Sequence, residues 1–338
     1  MSEAILLVGG QGTRLRPLTD SMPKPLLPLA GIACTTHQLL KAKAAGVTRV
    51  VLATSYLADV FESQYGAGEE LGLELVYAVE KEPLGTGGAI ANAGRFLTGK
   101  GPVLIFNGDV ISNHSLAEQY RVHESSGAIA TLHLTPVEDA RAYGCVPLDE
   151  AGRVTAFLEK MDNPITNLIN AGCYLFDRSV IEGIPLDTVI SVEREVFPEL
   201  VKRHVQGYIS SEYWIDLGTP EAFTRASADI ISGRAYSPAL GELNQEFLAK
   251  DAEVATGVLL TGGTFLDKGV RVDSDARIHH SVVLADTHVG SSAQVENSFV
   301  GRGVRIGSGA RLTNAAIGDG VVIDDGEEVP EGARVSAS

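Results

Sequence analysis

Cysteine is scarce in this chain: Cys34, Cys145 and Cys173 are the only three among 338 residues. They stand far apart, with neither a CxxC pair nor metal-ligand spacing, which excludes a disulfide scaffold and a zinc module. Reduced core thiols in a cytoplasmic protein are the expectation. No apolar run approaches the ~18 residues needed to cross a bilayer. The first residues carry neither the basic stretch nor the apolar core of a signal peptide. Positive charge is also short, with 27 Lys and Arg against 43 Asp and Glu and a formal net charge of −16. That balance argues against nucleic acid or an anionic membrane as a partner. With 44% hydrophobic and 21% charged residues, the chain has the composition of a well-packed protein of one large domain or two ordinary ones.

Against this acidic background, one stretch concentrates cations and glycines. The apolar run Ala4-Ile5-Leu6-Leu7-Val8 reads as a buried strand. It breaks into Gly9-Gly10-Gln11-Gly12-Thr13-Arg14-Leu15-Arg16-Pro17-Leu18-Thr19, and Pro23-Lys24-Pro25 follows. Glycines let backbone N–H groups approach an anion. Arg14 offers a planar fork of donors and Lys24 a compact charge. The stretch therefore reads as a polyphosphate cradle at a strand end. It is not a Walker A loop, because no Gly-Lys-Ser/Thr follows. It is not the dinucleotide fingerprint either, because Leu15 stands where the third glycine belongs.

Up to about residue 232, strand-like and helix-like segments alternate. Strands are expected at 4–8, Arg49–Ala53, Leu73–Ala78, Val103–Phe106, Ala128–Leu134, Arg153–Leu158 and Asn170–Phe176. Helices are expected at Thr35–Ala45, Leu57–Tyr65, Gly87–Ala93, Ser115–Ser125, Val192–Arg203 and Pro220–Ile231. This pattern predicts a Rossmann-like α/β fold, a mostly parallel sheet with helices on both faces. Ligands of such sheets sit at the carboxyl ends of the strands. The expected organisation is a catalytic domain over 1–232, a linker over 233–252 and a second domain over 253–338. In that last part, aliphatic residues recur every six positions: Val283, Val289, Val295; Val300, Ile306, Leu312; Ile317, Ile323, Val329, Val335. The phase slips to five between the blocks. A six-residue period is the mark of a parallel β-helix of hexapeptides, here of between four and five turns. Its expected job is structural, against the catalytic domain or a neighbouring subunit. His279, His280 and His288 lie in the coil and are read as surface histidines rather than as an acyltransferase base.

Two aspartates stand at expected strand ends, Asp109 in Asn107-Gly108-Asp109 and Asp216 in Trp214-Ile215-Asp216-Leu217-Gly218. Carboxylates placed so, near a phosphate loop, suit Mg²⁺, which takes one or two carboxylates together with substrate phosphates. Glu80-Lys81-Glu82-Pro83-Leu84-Gly85-Thr86-Gly87-Gly88 forms a second glycine cluster.

The N-terminal pattern resembles the signature of the sugar-nucleotide pyrophosphorylases, a family of nucleotidyltransferases, and within it looks most like the mannose-1-phosphate guanylyltransferases. The resemblance covers most of the chain and includes a left-handed β-helix. It implies that an NTP, GTP favoured, reacts with a sugar 1-phosphate, mannose 1-phosphate favoured, with Mg²⁺ as cofactor. It also implies that Gly9, Gly10, Gly12, Thr13 and Arg14 hold the phosphates and that Lys24 faces the α-phosphate. Asp109 and Asp216 are the implied metal carboxylates. In the family the second glycine cluster reads the base, which brings in Gly85 and Gly88. The uridylyl and thymidylyl enzymes place Gln where Glu80 stands here. A carboxylate only accepts, and guanine presents two adjacent donors. Glu82 is the other candidate reader. On the sugar side the resemblance implies Gly144, Glu159, Lys160 and Asn170, with Lys160 on the sugar phosphate. Met161 departs from the family's Glu-Lys-Pro. The alternatives are a glucose-1-phosphate enzyme using dTTP, UTP or ATP, and a non-catalytic regulatory subunit. The coil suggests a homo-oligomer.

Overall fold

The computed structural model describes residues 2–10, 12–55, 58–240 and 247–337. It divides into two compact units. One contains residues 1–10 and 38–214, and the other contains residues 11–37 and 215–338.

The first unit is built on a nine-stranded sheet. Its strands are β1 (Glu3–Leu7), β2 (Arg49–Thr54), β3 (Glu74–Val79), β4 (Val103–Asn107), β5 (Ala130–Pro136), β6 (Gly144–Cys145), β7 (Leu158–Glu159), β8 (Leu168–Phe176) and β9 (Val205–Ile209). The main path runs β7-β6-β8-β4-β1-β2-β3, with β5 and β9 continuing from β8. Strands β4, β1, β2 and β3 run parallel, and β8 enters antiparallel between β4 and β5. The central strands are apolar on both faces, as buried parallel strands must be. Ala4, Ile5 and Leu6 are fully buried, as are Val50, Val51 and Leu52.

Five helices flank this sheet or join its strands: α1 (Cys34–Ala44), α2 (Ala58–Tyr65), α3 (Gly85–Gly94), α4 (Leu116–Ser126) and α5 (Arg178–Glu182). On one face, Ile5, Val51, Ile105, Tyr174 and Phe176 pack with Ile90 and Ala93 of α3 and with Ile181 of α5. On the other face, Gln119 of α4 donates to the carbonyls of Thr131 and Cys173. There Lys41 and Ala42 of α1 share a cavity of about 20 Å³ with Phe106, Leu116 and Cys173.

Two expected elements differ. The strand expected over 153–158 is present only as Leu158–Glu159, with isolated bridges at Arg153 and Val154. Asp149 is the reason: its Oδ1 accepts from the amides of Ala151 and Arg153 and curls the chain into a turn. The helix expected over 192–203 is a π-turn, Val192–Val196, followed by one short turn, Phe197–Leu200. Pro198 lacks the N–H that a continuous helix would use there. The helix expected from Leu57 is described from Ala58, because Leu57 lies outside the described residues.

The second unit contains α6 (Pro220–Ile231), the segment 12–37 and the coil. Residues 241–246 of the expected linker lie outside the described residues. The coil is a parallel β-helix whose strands form three sheets, of six, five and four strands. Partners are 17 residues apart in the middle turns, as in Phe265, Val282, Phe299 and Ala316. Seventeen is two steps of six and one of five, which accounts for the slips of phase in the sequence. Nine of the ten periodic aliphatics, from Val283 to Val329, are buried, and Val335 caps the cluster half-buried. Left-handed backbone recurs at the corners in the same step: His280, Asn297 and Asn314 on one edge; Asp275, Ser292 and Gly309 on another. Asn, Asp and Gly enter that region at least cost, which explains their recurrence there. Phe223 of α6 meets Phe299 of the coil edge to face, ring centroids 5.9 Å apart. No helix among the described residues is long and apolar enough to cross a membrane.

Candidate active site

In the first unit, Gly9 and Gly10 follow β1, with Val8 N–H on the Ala53 carbonyl at 3.0 Å and Ser55 Oγ on the Gly9 carbonyl at 3.2 Å. A Cβ at Gly10 would meet no protein atom within 4 Å, so its backbone faces open space. Asp109 follows the end of β4. The turn that carries it is fixed from two sides. Gly108 N–H donates to the Leu7 carbonyl at 2.9 Å, and a Cβ there would lie 2.7 Å from that oxygen. The Gln38 amide of α1 donates to the carbonyls of Asn107 and Val110, which bracket Asp109.

Glu80 lies just past β3 and is half-buried, whereas Glu82 is exposed. The backbone N–H of Leu84 donates to Glu80 Oε2 at 3.1 Å. Burial raises the Glu80 carboxyl above the ordinary value, opposed by that hydrogen bond. The glycine loop starts α3 two residues earlier than the apolar pattern predicts, at Gly85. It lies on the segment 188–193. Gly87 N–H donates to the Ile190 carbonyl at 2.8 Å. Hypothetical Cβ atoms on Gly85 and Gly88 would fall 2.6 Å from Ile190 O and 2.5 Å from Thr188 O. The glycines are thus demanded by the protein's own backbone.

Glu159 and Gly144 are register partners across β7 and β6. The place of a Gly144 Cβ is taken by the Phe157 ring at 2.8 Å and by Glu159 Oε2 at 3.0 Å, so the glycine lets the carboxylate lie flat. Burial raises the Glu159 carboxyl, Lys160 lowers it and Glu193 raises it. Lys160 sits at φ 49° with Nζ 3.8 Å from Glu159 Oε1. A lysine in left-handed backbone is uncommon and stores about 1–3 kcal/mol of strain. Asn170 on β8 is locked by two bonds: Nδ2 donates to Tyr174 Oη at 2.9 Å, and Oδ1 accepts from Gly172 N–H at 3.2 Å.

The second unit holds Gly12, Thr13, Arg14, Lys24 and Asp216. Gly12 has φ 62°, and a Cβ there would meet Lys24 Cβ at 2.9 Å, so the glycine admits the buried lysine stem. Thr13–Leu15 is a single 3-10 turn. Arg14 reaches Gly218, where a Cβ would meet Arg14 Nη2 at 3.0 Å and Asp216 Oδ1 at 2.8 Å. Asp216 does not cap the helix that follows; Thr219 does, accepting from Ala222 N–H at 3.2 Å.

Asp109 and Asp216 offer hard carboxylate oxygens. Among the described residues, no three His, Cys, Asp or Glu side chains gather into a group that could hold a metal ion. A carboxylate of this kind, taken singly in either unit, is the hard oxygen ligand that Mg²⁺ accepts alongside water and substrate phosphates. It does not suit a structural zinc site. The three thiols are free and buried. Burial pushes Cys173 up to about 12, which leaves it inert.

Four further residues, Gly218, Thr86, Glu193 and Gln38, have partners that sequence reasoning does not supply. Gly218 is needed for the approach of Arg14 and Asp216. Thr86 and Glu193 are 107 residues apart and meet at 2.7 Å. Gln38 sits inside a helix whose sequence shows no sign of its two carbonyl partners. Gly218 and Thr86 stand in the motifs quoted above, but Glu193 and Gln38 are announced by no local motif.

The family model for nucleotidyl transferase matches residues 3–233, and the model for the GMPPB C-terminal domain matches residues 243–338. The mannose-1-phosphate guanylyltransferase of Mycobacterium tuberculosis is 48% identical over 291 residues, 85% of this chain and 81% of that one. The catalytic subunit beta of the same enzyme in Drosophila pseudoobscura pseudoobscura is 35% identical, covering 82% of this chain and 72% of that one. Among solved structures, HddC from Yersinia pseudotuberculosis aligns with a TM-score of 0.59 at 28% identity over 68% of this chain and all of that one. It also aligns, at TM-score 0.58, in its complex with GMP-PN. The strand-end glycine loop, its cations and the catalytic-type sheet thus agree with the matches over both parts of the sequence, and the chain belongs to the nucleotidyl transferase family.

Proposed function

We propose that the chain transfers GMP from GTP to mannose 1-phosphate, giving GDP-mannose and pyrophosphate. The single observation that carries this reading is the 48% identity to a mannose-1-phosphate guanylyltransferase over 85% of the chain. Glu80 supports the base: it is a half-buried carboxylate beside the glycine loop, able only to accept, and guanine offers two donors. In the reaction, a phosphate oxygen of the sugar phosphate forms a bond to the α-phosphorus. The bond from that phosphorus to the bridging oxygen of pyrophosphate breaks. The nucleophile is already an anion near neutral pH, so no general base is needed. The work is positioning and charge neutralisation.

We assign the leaving phosphates to Arg14 and the N–H groups of Gly9, Gly10, Gly12 and Thr13, and the α-phosphate to Lys24. The sugar phosphate goes to Lys160 and the sugar hydroxyls to Glu159, Asn170 and the Gly144 strand. Asp109 and Asp216 are the carboxylates that would hold Mg²⁺, which when bound offsets phosphate charge. The catalytic machinery is assigned to residues 1–232 and the hexapeptide domain to 253–338. A cytoplasmic site of action and a homo-oligomer formed through the coil belong to the same reading. Light scattering on the purified chain tests the oligomer.

The deciding assay is Mg²⁺-dependent pyrophosphate release with GTP, dTTP, UTP and ATP, each paired with mannose 1-phosphate and glucose 1-phosphate. GTP with mannose 1-phosphate should be the preferred pair. Preference for dTTP or UTP with glucose 1-phosphate overturns the base and sugar assignment. Sugar-nucleotide binding without turnover in any pair would make the chain a regulatory subunit.

A further inference from the structure

The segment that carries Arg14 and Lys24 is seated on the far end of the chain. The Arg14 carbonyl accepts from Arg334 Nη1 at 2.7 Å, across 320 positions. Pro17 lies over Gly318, where a Cβ would be 3.1 Å from its Cβ. Ser21 Oγ donates to Asp319 Oδ2 at 2.7 Å. The other oxygen, Asp319 Oδ1, accepts from the backbone N–H of Arg302 at 2.8 Å, and Arg302 Nη2 reaches Met22 Sδ at 3.4 Å. These contacts come from successive turns at one edge of the coil. Gly318 N–H donates to the Val335 carbonyl at 2.7 Å, and strands 299–300, 316–317 and 334–335 stack beside them. A loop with Arg14 exposed at its start and Lys24 buried at its end is therefore held by the coil at Arg14, Pro17, Ser21 and Met22.

We propose that the last turns of the coil are a working part of the triphosphate site, with Arg334, Asp319 and Arg302 as positioning residues for the loop of Arg14. The proposal rests on the reading of Arg14 and Lys24 as triphosphate ligands. It gives the coil a role beyond the structural one expected from its repeats. None of the three residues touches substrate on this account; each acts through the loop's backbone or through Ser21 and Met22. Loss of these bonds widens the set of loop conformations, and the nucleotide must then reorder the loop on binding.

The test uses the full chain. Arg334→Met keeps the apolar stem and removes the donors, and Asp319→Ala removes the acceptor for Ser21. In the double variant, affinity for a fluorescent GTP analogue, measured without sugar phosphate, should fall by about tenfold, the effect of one to two net hydrogen bonds. KM for GTP should rise in step, while KM for the sugar 1-phosphate stays within about twofold of wild type, since no sugar contact is altered. Arg334→Lys retains a donor and should restore most of the affinity. Unchanged GTP affinity in the double variant overturns the proposal. So does a parallel rise of both KM values with a lowered melting temperature, the mark of general destabilisation. Arg14→Ala separates the two levels. If it leaves GTP affinity intact, the triphosphate reading itself is wrong. If it weakens binding while the coil variants do not, only the coil's role falls.

Discussion

His114 and His133 stack in the buried back of the sheet, ring centroids 3.6 Å apart and 20° from parallel. Lys41 Nζ donates to His114 Nδ1 at 3.2 Å, and His114 Nε2–H donates to Gln119 Oε1 at 3.2 Å. These partners suit the neutral form of His114. Burial pushes His133 down to about 3, with Lys41 adding to the shift. Burial also pushes His114 well below its usual value, with Lys41 and His133 adding to the effect. Burial lowers Lys41 itself to about 8.

The sign of the pH dependence follows. Both histidines titrate lower folded than unfolded, so their contribution is fully present above about pH 6.5. It is lost as pH falls from there towards 3. Within that window each histidine contributes roughly 1.4 kcal/mol per pH unit. Between pH 6.5 and 5 the wild type should lose about 4–8 °C more in melting temperature than His133→Phe. Equal losses in the two proteins, followed by circular dichroism, would show that the stack takes no part in acid sensitivity.

Lys24→Ala and Asp109→Ala should each lower kcat by about 10²–10³, the usual effect of removing one preorganised charge. Far-ultraviolet spectra should stay those of the wild type. Near-normal turnover in either variant would defeat the role given to that residue.

Glu80→Gln replaces an acceptor pair by one acceptor and one donor. The ratio of kcat/KM for GTP over UTP should fall by roughly 10–100-fold. A retained ratio would move the base contact to another residue, Glu82 first.

Thr86 is the hinge of the glycine loop's support. Its hydroxyl donates to Glu193 Oε2 at 2.7 Å and accepts from Val192 N–H at 2.9 Å, and Ser191 Oγ shares the same carboxylate oxygen at 2.9 Å. Thr86→Val keeps the shape and loses both bonds. KM for GTP should rise by about tenfold, with Thr86→Ser close to wild type. A Val variant indistinguishable from wild type in nucleotide kinetics would reduce this contact to scaffolding.

The sequence was most readable where one interaction dominates. The coil's inner aliphatics repeat because each must fill the same place one turn later, and even its slips of phase are real. Strands β1, β2 and β4 were legible because parallel strands buried on both faces are apolar throughout. Strand β9, Val205-Gln206-Gly207-Tyr208-Ile209, was not: it carries a glycine and a glutamine, and its parallel pairing with β5 is a long-range event. The same applies to the site. Arg14, Lys24, Asp109 and Glu80 stand in local motifs. The supports beneath them, Glu193 under Thr86 and Arg334 under Arg14, come from elsewhere in the chain and leave no pattern near the residues they serve.

The 17-residue step of the coil also makes it a counting device. Val283 hydrogen-bonds through its strand to Val300 and that strand to Ile317, rung by rung. Side chains alternate between inside and outside along each rung. Removing a single residue at a corner such as Asp286 would advance every later position by one. Unless a corner absorbed the change, Val300 and Ile317 would turn outward and Asp319 would no longer meet Ser21. A deletion in the middle of the coil would then act as a frame error, felt near the other end of the polypeptide at Arg14 and invisible in the motifs themselves.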